Sequence, residues 1–171
     1  MAETDGLVAI AEISVAFAGF ASIVSVLGRR ETRAHPRVDA IRVRGMVFCS
    51  TVVALGALFP FAAIGYRLDP VEAWRVASIG LLVLSGINLL SFAVDSRRSF
   101  DLFPRWQSIL GTTLVGAIII TVPTLCIVNL AISDPWVQSA NYRLGLLMLL
   151  CVAAGCFVFT LISLLAPSVD S

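Results

Sequence analysis

The sequence predicts an all-α, polytopic membrane bundle of five transmembrane helices, and three observations carry that expectation. Five apolar runs, at residues 7–27, 45–66, 76–94, 109–132 and 144–166, are each long enough to cross a hydrocarbon core, which takes about 20 residues. Of the 171 residues 58% are hydrophobic and only 13% charged, with a mean hydropathy of +0.96. A soluble domain runs to roughly 45–50% apolar and about 25% charged. The charges also cluster between the runs, as they do in polytopic membrane proteins. Third, Tyr66, Trp74, Trp106, Trp136 and Tyr142 all fall at or just beyond the end of a run. Amphipathic rings prefer the headgroup region, so these residues are expected to mark the membrane surfaces.

The first run, LVAIAEISVAFAGFASIVSVL, carries a carboxylate, Glu12. The leading MAETDG is acidic and the run exceeds a signal-peptide core, so it is expected to remain as a spanning helix. Glu12 comes five residues after Leu7, roughly 8 Å below the edge of the run at 1.5 Å per residue. An ionised carboxylate at that depth costs up to about 2–3 kcal/mol unless it is paired. Ala9, Ala16 and Gly19 surround it on the helix, and Ser14, Ala18, Ser22 and Ser25 make a second small-residue face. Small residues let helices approach closely. Two such faces predict that the first helix is a central packing hub.

The second run holds Cys49, Gly56 and Pro60. The third carries a polar stripe: Ser78, Ser85, Asn88 and Asp95 share a narrow arc at 100° per residue, with Arg75 at its edge. In the fourth, Ser108, Thr112, Gly116 and Pro123 recur at near-helical spacing, with Asn129 close to the same face. Such stripes face protein or water, never lipid. The two prolines are expected to kink their helices. The fifth run opens after Arg143 and contains Cys151 and Cys156, which with Cys49 and Cys126 read as inert apolar thiols. A duplication is suggested by Pro60, Asp69-Pro70 and Arg75 in one hairpin against Pro123, Asp134-Pro135 and Arg143 in the other.

Orientation follows from the arginines, which supply every basic side chain. Arg29, Arg30, Arg33, Arg37, Arg42 and Arg44 separate the first two runs, and Arg97, Arg98 and Arg105 separate the third from the fourth. The other side has Arg67, Arg75 and Arg143 alone. The positive-inside rule then places the N-terminus outside and the C-terminus in the cytoplasm. The cluster from Arg29 to Arg44 is also expected to attract anionic lipid headgroups.

Function is narrowed more by exclusion than by motif. The stretch between the first two runs is too short to fold a soluble domain, so any chemistry belongs in or at the membrane. A net charge of +1 gives no footprint for nucleic acid. None of the patterns GxxxxGK[ST], HExxH, CxxC or GxSxG is present, and His35 is the one histidine. The expectation is therefore no enzyme, no cofactor and no metal site. Two readings stand. In the first the chain is an oligomeric ion or proton channel or permeation subunit, with Glu12 and the stripe of Ser78, Ser85, Asn88 and Asp95, with Asn129, along the path. In the second it is a non-catalytic scaffold or partner subunit in which Glu12 pairs with Arg75 or Arg143. A homo-oligomer is expected in either case, with another protein subunit as the alternative partner.

The stretch AEISVAFAGFASIV, residues 11–24, resembles the opening helix of small uncharacterised bacterial multi-spanning integral membrane proteins. The resemblance implies a bacterial inner-membrane setting and no particular activity.

Overall fold

The computed structural model describes the backbone of residues 2–27, 36–99 and 105–165, and side chains over 5–24, 40–97 and 113–162. It is all-helical: α1 (Ala2–Leu27), α2 (Pro36–Gly65), α3 (Pro70–Ser99), α4 (Arg105–Ala131) and α5 (Pro135–Leu165). Each contains a segment long and apolar enough to span a membrane. The five expected runs therefore coincide with five helices.

The helices outrun the apolar runs, and the reason is local. α3 and α5 begin about two turns before the runs at 76 and 144 because an Asp-Pro pair starts each of them. Asp69 Oδ2 accepts from the Val71 amide at 3.3 Å, and Asp134 Oδ1 accepts from the Trp136 amide at 2.9 Å. Proline follows each aspartate at the first helical position, where its missing N–H costs nothing and its fixed φ suits the helix. Both hairpins of the suggested duplication thus share one capping device. The α2–α3 turn closes with Arg67 donating its amide to Ile64 O at 2.9 Å, and Arg67 takes a left-handed φ of 56°.

Helices α2, α3, α4 and α5 form a four-helix bundle in which each touches its neighbours around the ring and α3 meets α5 across it. α2 is the most buried of the five. Its Val52, Val53 and Ala57 join Ala77 and Leu81 of α3, Val122 and Cys126 of α4, and Leu146 and Leu149 of α5 in one core. Gly56 allows the closest approach: a Cβ there would lie 2.8 Å from Leu146 Cδ2 and 3.1 Å from Leu81 Cδ1.

α1 is not the hub that its small residues suggested. It lies against α2 and along the edge of α5, and among the described residues it does not touch α3 or α4. Leu7, Ile10, Ser14, Ala21 and Val24 are buried, while Phe17 and Phe20 lie against Phe157 with ring centroids 5.7 and 5.6 Å apart. Of its two small-residue faces, the one containing Ser14 and Ala18 docks, and the one containing Ala9, Ala16 and Gly19 is exposed. The segment 28–35, which includes Arg29, Arg30, Arg33 and His35, lies outside the described residues, as do the side chains of Ser25, Arg37, Arg98, Arg105, Trp106, Ser108 and Thr112.

Because the two caps are alike, their loss should cost alike. Asp69→Ala and Asp134→Ala are each expected to lower stability by about 1 kcal/mol, and thermal unfolding in a fixed detergent checks it.

Candidate functional site

Polar side chains inside an apolar bundle must bond to each other or to backbone carbonyls, because no bulk water is there to serve them. The densest such group lies where α4 ends and α5 begins. Asn129 and Gln138, both fully buried, clasp the two helices reciprocally. Asn129 Nδ2 donates to Gln138 O at 3.0 Å, and Gln138 Nε2 donates to Asn129 O at 3.0 Å and Ile132 O at 2.8 Å. The Gln138 amide thereby caps carbonyls of the last turn of α4, which have no partner within their own helix. Asn129 Nδ2 also donates to Ser78 Oγ of α3 at 3.2 Å, and Asn129 Oδ1 accepts from Asn141 Nδ2 at 3.0 Å. Three helices meet at one amide.

Next to this node Tyr142 is buried, and its hydroxyl donates to Gly56 O of α2 at 2.6 Å while its ring lies 5.6 Å from that of Trp74. This corrects the expectation that Tyr142 marks a membrane surface. With α5 starting at Pro135, Tyr142 sits two turns inside the helix. Trp136 and Tyr66 are exposed at the same end of the bundle. Arg143 turns back along its own helix, donating from Nε to Ser139 O at 3.2 Å and from Nη2 to Ser139 Oγ at 3.0 Å.

The α3 stripe faces protein along most of its length. Ser78, Ser85 and Asn88 are all buried. Ser85 Oγ donates to Leu82 O at 3.1 Å, and Asn88 Nδ2 donates to Cys49 Sγ at 3.5 Å. At the far end Asp95 meets Arg44 at 3.4 Å and ties α3 to the start of α2. Arg42 lies with its guanidinium carbon 5.8 Å from the centroid of the Phe159 ring. Cys49 and Cys126 are buried and Cys156 half-buried, but Cys151 is exposed, unlike the buried thiol expected from its apolar surroundings. Among the described residues no three His, Cys, Asp or Glu side chains come together as a metal site would require.

Glu12 is placed apart from all of this. It is exposed, and it follows from the helical repeat that it points about 200° away from the buried Ser14. Among the described residues it has no hydrogen-bond or ion-pair partner. The expected pairing with Arg75 is not made within the chain, since α1 and α3 do not touch, and Arg143 is turned toward Ser139. Arg75 is half-buried, and its Nε is buried without an acceptor; Gln138 Oε1 and Ser50 Oγ are the other buried polar atoms left without partners.

Of the node, Asn129 was legible as a polar residue on an apolar helix, but Gln138, Ser139 and Asn141 were missed. The signal that would have found them is the Asp134-Pro135 start, which draws them into α5. Comparisons with protein-family models, with curated proteins and with solved structures return no match. What this chain does is therefore argued from its own geometry.

Asn129→Leu would strand Asn141 and Ser78 and break the clasp. It is expected to cost about 1–3 kcal/mol, read as a lower unfolding midpoint. Gly56→Ala should cost a similar ~1–3 kcal/mol by overpacking against Leu146 and Leu81, in the same assay.

Proposed function

We propose that this chain is a non-catalytic subunit of a membrane assembly, joined to its partner through the outward face of α1 that carries Glu12. The observation that supports the reading is the position of that carboxylate. It lies within the apolar span Asp5–Val24, on the side of α1 turned away from the bundle, with no partner among the described residues. A carboxylate facing lipid is disfavoured by up to about 2–3 kcal/mol, and a donor from a second protein removes that cost. Its neighbours suit such a contact. Ala9, Ala16 and Gly19 are exposed, and a Cβ at Gly19 would meet nothing within 4 Å. Nothing among the described residues requires these positions to be small, while a close helix partner does.

The competing reading, an ion or proton permeation subunit, needs the α3 stripe to line a path. Ser78, Ser85 and Asn88 instead bond inside the bundle, which favours the assembly reading. The arginine asymmetry gives this reading its orientation, with Arg42 and Arg44 at the cytoplasmic surface and the Asp69 and Asp134 turns outside. The setting proposed is the inner membrane of a bacterium.

The test compares wild type with Glu12→Gln. The assembled fraction in mild detergent should fall roughly tenfold, equivalent to ~1.4 kcal/mol, with helicity unchanged. Wild-type proteoliposomes should pass ions no faster than empty vesicles. Ion flux that vanishes in Glu12→Gln while the assembly persists would contradict the reading.

A further inference from the structure

We infer that Met46, Cys49 and Cys156 form a buried binding site for a soft monovalent metal ion of the copper(I) class. The site stands apart from the Glu12 face and does not depend on the assembly reading. The first argument is composition. Met46 and Cys49 are buried in one cluster with Ala21, Val152 and Ala153, and Cys156 packs against it. Three of these side chains carry sulfur, and every other member of the cluster is apolar. Thiolate and thioether sulfur select copper(I), whereas magnesium and calcium take oxygen and structural zinc takes four ligands. The third donor is a thioether, so no triad of His, Cys, Asp and Glu marks the site.

The second argument is geometry. Gly45 lies by Cys156 and Gly56 by Leu146, so α2 and α5 run antiparallel. Each Cα–Cβ bond tilts toward the N-terminus of its own helix. Cys156 therefore leans toward the level of Cys49, and Cys49 leans back toward that of Cys156. At Gly45, one turn before Cys49, a Cβ would lie 3.6 Å from the Cys156 sulfur, and glycine leaves the sulfur room on that side. The two thiols are close enough for a charge on one to act on the other. Met46 is one turn from Cys49 on the same helix, and its flexible side chain can turn the thioether to the pair.

The third argument is what surrounds the sulfurs. Asn88 Nδ2 donates to Cys49 Sγ at 3.5 Å, the kind of outer hydrogen bond that orients a metal ligand. Two thiolates around one monovalent ion leave a negative charge, which is costly in an apolar layer unless it is paired. Arg42 brings the opposite charge: its guanidinium carbon is 5.8 Å from the Phe159 ring centroid, one turn along from Cys156. Each thiol gives up its proton as the ion binds, and no electron is transferred. Cys156 is only half-buried, which gives an ion a way in. Once seated, the ion would join α2 to α5 at the end of the bundle away from the Asn129 node.

Silver(I) is the probe, since it is soft, monovalent and stable in air. Reduced full-length protein in detergent is incubated with silver, freed of excess by gel filtration, and assayed for metal and protein. A Cys126→Ala, Cys151→Ala chain keeps only the two proposed thiols and should retain one silver ion per chain. Adding Cys49→Ala or Cys156→Ala should abolish retention. Met46→Leu or Asn88→Leu should weaken it roughly tenfold or more. Silver should also raise the unfolding midpoint of the two-thiol chain and leave that of either single-thiol chain unchanged.

Helicity is measured for every variant, and Cys49→Ser or Cys156→Ser replaces an alanine variant that fails to fold. No silver on the folded two-thiol chain would overturn the inference, as would equal retention without Cys49 or Cys156. Equal affinity in Met46→Leu would overturn the three-sulfur ligand set.

Discussion

The structure depends on one constraint: in an apolar layer every polar group must find a partner within protein. The amide of Asn129 shows how the chain meets it. One side chain links α3, α4 and α5 by bonding to Ser78, Gln138 and Asn141, and the Gln138 amide in return covers the open carbonyls at the end of α4. The Tyr142 hydroxyl brings in α2 through the carbonyl of Gly56, where the missing side chain lets α5 come close enough for a 2.6 Å bond. Dispersion packs these helices, but apolar packing alone leaves their register loose, because lipid tails are as apolar as the side chains they replace. Directional bonds at one end, with the Arg44–Asp95 pair at the other, set how α2 to α5 stand beside one another.

Against that background α1 is the exception. It joins the bundle by apolar contacts and the Phe17, Phe20 and Phe157 cluster. Its carboxylate, at Glu12, is exposed on the side turned away from the bundle. The proposed assembly accounts for this outward carboxylate by giving it a donor from a second protein.

Much of the fold was legible in the sequence because hydropathy and helix length are both local properties. Each of the five runs became a helix. The missing turns at the start of α3 and α5 were written in polar residues, so a search for apolar length passed over them although the Asp-Pro signal was visible. That omission hid half of the amide node, since Gln138, Ser139 and Asn141 lie ahead of the apolar run that starts at 144. The placement of α1 was not legible at all. Small residues on two faces show that a helix can be approached closely from either side, and only the packing of its neighbours decides which side is used. For the same reason Glu12 stood out as costly from its position alone, whereas its orientation away from Arg75 needed the three-dimensional arrangement.

The measurement that bears most directly on the central claim is the intact mass of the wild-type protein released from a lipid nanodisc. The account predicts a defined multiple of the chain mass, or a complex with a second membrane protein. A single chain as the only species, released from a native bilayer under conditions that preserve helix contacts, would contradict it.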